Sequence, residues 1–280
     1  MGEAKIKGLE GTVISGLMDK GMKCTAIWGW LWEAYFKRGS NDVNLPDWVV
    51  DLGNEYNKKQ FKKVLTPLIT AEFLNHYNYH KINGRPVIHF YDAIALINEG
   101  KAIEDAKKYI KGNKGIDIFI VGAILPNIPA RPNDPHISYL LSKKDIESYE
   151  AFTGSAGFHN RSRQEWVDNY EDLYNQHLAV WYEFTKKEDR SFIPTIIPGF
   201  DNSYSWGPPG LPPIERSPEK FMERLKIASR YLDSPRIIRI DTWNDFGEWS
   251  YVEPTQKEAF TYLEKLREVL LAWLNPALNI

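Results

Sequence analysis

Arg239-Ile-Asp-Thr-Trp-Asn-Asp-Phe-Gly-Glu-Trp-Ser-Tyr-Val-Glu-Pro254 decides how this chain is read. Ile237, Ile238 and Ile240 are β-branched and follow a Ser-Pro break, so a buried strand is expected there. The stretch then turns polar. Asn244, Asp245, Glu248 and Glu253 arrive within ten positions, interleaved with Trp243, Phe246, Trp249 and Tyr251. An apolar strand that ends in carboxylates and aromatics suits a sugar-cleaving site at the mouth of a barrel. Carboxylates move protons or attack carbon, and flat rings stack on the apolar faces of pyranoses. The same acids also suit a solvated loop or the first turn of a helix, where the dipole favours anions.

Composition narrows the classes. The 280 residues are enough for one large domain with a full core, about the size of a (β/α)8 barrel. A single catalytic domain over 1–280 is the expected organisation. A formal charge of −2 gives no reason to expect nucleic acid or an anionic membrane as partner. No stretch approaches the roughly 20 apolar residues of a membrane span. No signal peptide is visible, so a cytoplasmic location is expected of the sequence as it stands, or a secreted one if a leader has been removed. Cys24 is the only cysteine, which excludes an internal disulfide and a cysteine-based metal cluster. It opens an apolar run and reads as a buried thiol. Ten tryptophans exceed the needs of the core, so several are expected to line a cleft.

Taken in order, residues 3–22 have helical spacing. Lys23 to Trp32 reads as a strand in which Trp28, Trp30 and Trp32 share one face, with Glu33 at its end. These rings are either core or a sugar platform. A helix is expected over 55–77, kinked or split by Pro67. Strands follow at 86–91, ending in Tyr91 and Asp92, and at 116–125. His89 reads as a core histidine. Between the two lies a short helix, 102–111. The proline-rich residues 126–136 read as a surface excursion. A weaker strand at 149–155 leads to a long helix ending near Lys187, whose aromatics face the core. Another strand at 192–200 ends in Asp201 and Asn202. Ser217-Pro218-Glu219 has the marks of a helix start. A last helix is expected over 256–274.

The rhythm is strand, polar loop, helix, with long loaded loops after the strands and short turns before them. That predicts an α/β fold, a (β/α)8 TIM-type barrel whose active face lies at the carboxyl ends of the strands. Six units are visible, so the barrel is expected to be incomplete or degenerate at its N-terminal strands, and an oligomer would be one way to complete it. No G-x-G-x-x-G follows a strand and no P-loop is present, which disfavours nucleotide-binding folds.

Thr242-Trp-Asn-Asp-Phe-Gly-Glu-Trp-Ser-Tyr-Val-Glu-Pro254 resembles the T/A-W-N-E-W-x-E-G-x-x-x-E-P motif of the glycoside hydrolase family 99 and WbsX-like group. Its first half is also similar to the W-N-D-Y-G-E of family 71, the α-1,3-glucanases. Pro198-Gly-Phe-Asp-Asn202 with Arg216-Ser-Pro-Glu219, and Tyr79-His-Lys-Ile-Asn-Gly-Arg-Pro-Val-Ile88, resemble further WbsX-like segments. The resemblance covers about residues 55–274. It implies a (β/α)8 barrel acting on α-mannan or α-glucan polysaccharide or glycan, with Asp245 and Glu248 as the catalytic pair. Family 99 works by retention through a 1,2-anhydro sugar, and family 71 by inversion. The first acid here is Asp, as in family 71. The opening Y-Y-x-W-Y strand of these families has no counterpart.

The expected chemistry is cleavage of internal α-glycosidic bonds without metal or cofactor. Glu248 would be the general acid, its pKa raised by Phe246 and Trp249 through desolvation. Asp245 would be the base, and the two roles are exchangeable. Trp28, Trp30, Glu33, Tyr91, Asp92, Asp201, Asn202, Trp243, Asn244, Trp249, Tyr251 and Glu253 would bind an oligo- or polysaccharide. A WbsX-like glycosyltransferase is the first rival. The D-x-D-like spacings at Asp117 and at Asp145 near Glu147 do not suggest its metal site. A non-catalytic glycan-binding barrel is the second.

Overall fold

The computed structural model describes residues 23, 26–28, 36–70, 72–91, 93–126, 130–154, 156, 164–203, 205 and 211–274. The expected helix over 3–22, Cys24, Trp30, Trp32, Glu33 and Asp92 lie outside these residues. The chain divides into two compact units, Met1–Ile124 with Pro135–Phe152, and Leu125–Asp134 with Thr153–Ile280. No helix among the described residues is long and apolar enough to cross a membrane.

In the first unit, parallel strands β1 (Ala26–Trp28), β4 (Arg85–Phe90) and β6 (Phe119–Leu125) lie side by side, and β3 (Lys81–Ile82) runs antiparallel on β4. β2 (Val50–Asp51) pairs with β5 (Leu96–Ile97) apart from that sheet. All seven residues of β6 are buried. This unbroken apolar run is what a parallel strand covered on both faces requires. Helices α1 (Glu55–Thr70), α2 (Gly100–Lys114) and α3 (Pro135–Ser142) complete the unit. Helix α1 runs past Pro67 and ends one turn later, and Glu72–Asn75 forms a separate 3-10 turn. The break expected at the proline therefore falls after Thr70. α3 was not foreseen. Pro135, read as part of a loop, instead opens a helix at the position where its missing N–H costs nothing.

A buried polar network closes this unit. Lys144 donates to the carbonyls of Ala93 at 2.5 Å and Leu96, and its ammonium lies 4.0 Å from Glu99. Tyr149 donates to Glu99 at 3.0 Å. The Tyr149 ring needs Gly122 beneath it, where a Cβ would lie 2.6 Å from the ring. Burial pushes Lys144 down to about 8 and Glu99 up, each towards its neutral form and each opposed by the other's charge.

In the second unit, β7 (Ala151–Gly154), shared with the first, leads to α4 (Gln164–Asp168) and α5 (Tyr170–Lys187). The single helix expected here is interrupted at Asn169. Tyr170, Tyr174 and Trp181 are core, as their spacing predicts. The strand expected over 192–200 pairs in two pieces, β8 (Ser191–Phe192) beside β7 and β9 (Thr195–Ile196). Pro194 between them has no N–H to give a ladder. α6 (Pro218–Ser229) starts as predicted, with Ser217 Oγ accepting from Lys220 N at 3.2 Å.

β10 (Arg239–Ile240) pairs in parallel with β9. Ile237, Ile238 and Ile240 are only half-buried, not the buried strand their sequence suggests. Among the described residues β10 has one strand neighbour, β9. A hairpin of β11 (Asn244–Asp245) and β12 (Ser250–Tyr251) follows, then α7 (Thr261–Leu274). α7 begins five residues later than expected because Thr255–Ala259 fold as turns.

Replacing Lys144 by Met is expected to cost about 3–5 kcal/mol, since it strands a buried carboxyl group and two carbonyls. Urea denaturation measures this. Lys144 is depressed from 10.5 to about 8, so over that range the unfolded chain holds more protons than the folded one. Wild-type stability should therefore rise with pH across this window relative to Lys144→Met.

Candidate active site

The residues of the 239–254 stretch form a hairpin at the end of β10. Asn244 pairs with Tyr251 and Asp245 with Ser250. Thr242 is its hub. The Thr242 amide and hydroxyl both donate to the Ser250 carbonyl, at 3.0 and 2.7 Å, and the hydroxyl accepts from Asp245 N at 2.9 Å. Ser250 Oγ returns a hydrogen bond to the Asp241 carbonyl at 2.6 Å. Asp245 closes the turn itself, its Oδ1 accepting from Glu248 N at 3.1 Å. Oδ2 has no partner among the described residues. Trp249 sits at φ 53°, a left-handed conformation uncommon for a large residue and stored where the hairpin over-determines it.

Two further segments reach this hairpin. Asp201 N donates to the Glu248 carbonyl at 2.8 Å, so the end of the 192–200 segment is tied to the second acid. Asp201 and Asn202 are buried. The Asp201 carboxylate accepts from Ser203 N at 3.0 Å and Ser203 Oγ at 2.7 Å, bracing its own loop. The amides of Val252 and Glu253 converge on the Trp243 carbonyl at 3.0 and 2.8 Å.

The structure thus brings together Asp201, Asn202, Trp243, Asn244, Asp245, Glu248, Trp249, Tyr251 and Glu253. Trp28 and Tyr91 belong to the first unit. Trp28 pairs with Phe90, so Tyr91 leaves its strand at the same carboxyl edge. The rings of Trp243, Phe246 and Trp249 are 51%, 49% and 48% exposed. About half of each is open to solvent, and Glu248 between them is partly buried. Phe246 meets Tyr251, ring centroids 4.4 Å apart. Among the described residues no cluster of three metal-ligating side chains occurs.

Four contributors escaped the sequence reading. Asp241 is bound by Arg239 through both carboxylate oxygens, at 2.7 and 2.9 Å. Burial raises its pKa and Arg239 opposes the rise. The i, i+2 spacing on a strand was the available signal. Thr242 carried none beyond its place in the motif. Arg216 and Glu258 pair across 42 residues, which no local pattern reveals.

The fold is one found among glycoside hydrolases. It matches a solved "glycoside hydrolase-like protein" with a TM-score of 0.63 and 13% identity, over 76% of this chain and 60% of that one. It also matches the GH99 endo-alpha-mannosidase of Bacteroides thetaiotaomicron with a TM-score of 0.51 and 17% identity, over 80% of this chain and 70% of the other. The chain therefore spans 60% of the length of the first of these structures. By sequence it belongs to the family described as Glycosyltransferase WbsX, whose model matches residues 32–266. No curated protein sequence matches it. These matches support a mixed α/β fold of the family 99 kind. A full eight-stranded barrel is not seen among the described residues.

Thr242→Val keeps the shape and removes the hydroxyl, freeing the Asp245 amide. The expected cost is about 1–2 kcal/mol by chemical denaturation, with most of it restored in Thr242→Ser.

Proposed function

We propose that this chain is a glycoside hydrolase that cleaves internal α-glycosidic bonds of a polysaccharide or glycan of α-mannan or α-glucan type. The observation that carries the reading is the hairpin. It holds two carboxylates three residues apart, locked through the hydrogen bond from Glu248 N to Asp245 Oδ1 and flanked by three half-exposed rings. Glu248 gives its proton to the leaving glycosidic oxygen as the anomeric carbon–oxygen bond breaks. Asp245, through Oδ2, takes a proton from the attacking water, or from the sugar's 2-hydroxyl as its oxygen closes on the anomeric carbon; in the second case water then opens that three-membered ring, giving its proton to Glu248 while Asp245 returns its own to the 2-oxygen. Protons balance over the cycle, and the products are two shorter glycans. Trp243 and Trp249 stack on sugar faces, Tyr251 contributes its outer edge, and Asn244, Asp201, Asn202 and Glu253 receive hydroxyls. Trp28, Trp30, Glu33, Tyr91 and Asp92 complete the binding residues in this reading.

The family's printed description favours a second reading, transfer of a sugar from an activated donor. Such an enzyme would keep the same acceptor-binding aromatics but needs a place for the donor's phosphates. No three-ligand metal cluster occurs among the described residues, and no phosphate loop occurs in the sequence. The hydrolytic reading is therefore preferred on the carboxylate pair and the family 99 likeness.

Reducing-end release from a panel of α-mannans, α-1,3-glucan and other α-glucans tests this directly. One polymer should be cut, and Asp245→Asn and Glu248→Gln should each lower kcat by about 10²–10⁴. Turnover of a nucleotide sugar, with none of any polymer, would reverse the ranking. Full activity in Glu248→Gln would remove that residue from the pair.

A further inference from the structure

We infer that Arg216 and Glu258 form a positioning pair that sets the register and tilt of the acid-bearing hairpin. The inference rests on the hydrolytic reading of that hairpin and deepens it. The guanidinium of Arg216 lies between two rings, 3.7 Å from the centroid of Tyr251 and 4.3 Å from that of Tyr262. Its edge is engaged too. Nη2 donates to the Tyr251 carbonyl at 2.9 Å and to Glu258 Oε2 at 3.0 Å, and Nη1 donates to Glu258 Oε1. Tyr251 is gripped by its backbone and its ring at once.

That grip reaches the acids. Tyr251 is the ladder partner of Asn244, adjacent to the Asp245–Ser250 pair. Its ring also meets Phe246 on the far side of the turn. The support behind Arg216 is firm. Phe200 and Ile214 exchange backbone hydrogen bonds at 3.1 and 2.9 Å. Gly199 has no side chain because a Cβ there would collide with the Arg216 side chain and lie 2.7 Å from its Cα. Glu258 is set by its own turn, its amide donating to Thr255 Oγ1 at 3.1 Å. The segment that backs Arg216 is also the one that holds Glu248 through Asp201.

The cluster is an uneconomical stabiliser. Among the described residues Arg216 Nε and Tyr262 OH are buried with no partner. A buried ion pair left under-satisfied is often matched by plain apolar packing. Apolar packing has no direction, however. A planar fork fixes a carbonyl along its edge and a ring across its face, which constrains Tyr251 about two axes. Arg216 and Glu258 act through Tyr251, to which Arg216 is bound by backbone and ring.

The test pairs kinetics with amide exchange on the full chain. Arg216→Lys keeps the charge and loses the fork and the flat face. On the polymer that wild type cuts, kcat should fall about 100-fold, the usual cost of an ångström of misplacement, with KM changed by less than about threefold. The amides of Asp245 and Glu248 should exchange faster in the same variant. A folded Arg216→Lys with wild-type kcat and wild-type exchange overturns the inference, and so does a loss confined to KM. Should Arg216→Lys fail to fold, Glu258→Gln carries the same two readouts. If wild type cuts no polymer, the hydrolytic reading falls and exchange alone decides. Faster exchange at Asp245 and Glu248 then upholds the pair, and unchanged exchange rejects it.

Discussion

A strand that leaves its ladder must find donors for its carbonyls, and the second unit solves this with one buried guanidinium. β9 pairs with β10 only over two residues, so among the described residues the carbonyls of Ile197 and Pro198 have no strand beside them. Arg224, 1% exposed on α6, donates to them at 3.4 and 2.9 Å. Its remaining nitrogens donate to Glu171 on α5 at 3.0 and 2.7 Å, and its face lies over Tyr170. Two helices and a strand end are thereby tied at one charge. Burying this cation is offset because every nitrogen is engaged, two carbonyls and a carboxylate standing in for water. The direction in which residues 198–202 leave the sheet depends on this contact, and Asp201 carries that direction on to Glu248.

The site itself is built by a different logic. Thr242, Ser250 and the Asp245 side chain bond to groups no more than nine residues away, so the hairpin is specified mostly by its own sequence. Long-range contacts serve only to aim it. Trp243, Phe246 and Trp249 each stay about half exposed on this hairpin. Exposed rings beside ionisable acids are poor for stability and good for gripping carbohydrate, which is why the chemistry is read from this loop and the fold from the strands behind it.

Much of this was legible in the sequence. Periodicity located the parallel strands, the Ser217 cap was written in three residues, and the acids and rings of the hairpin stood out by composition. What stayed hidden had physical reasons. Pro135 reads equally as loop or helix start, and only packing decides. The half-exposure of Ile237, Ile238 and Ile240 is set by what packs on the strand from elsewhere, which β-branched residues cannot announce. The partnerships of Arg216 with Glu258 and of Arg224 with Glu171 join positions dozens of residues apart. A sequence shows charges at such distances but not their pairing.

The turn closed by Asp245 on Glu248 has one more consequence. Most paired acids at the mouth of an α/β fold sit on different strands, so every breathing motion of the sheet changes the gap between them. Here the two acids of the proposed pair ride on one short, self-laced segment. When the scaffold flexes the hydrogen bond from Glu248 N to Asp245 Oδ1 keeps their backbones together, and the tie from Asp201 to Glu248 is a route by which the strand end acts on the turn. Tuning that spacing is then a local matter of a few torsions between positions 245 and 248, open to change by substitution in the turn with the surrounding architecture left alone.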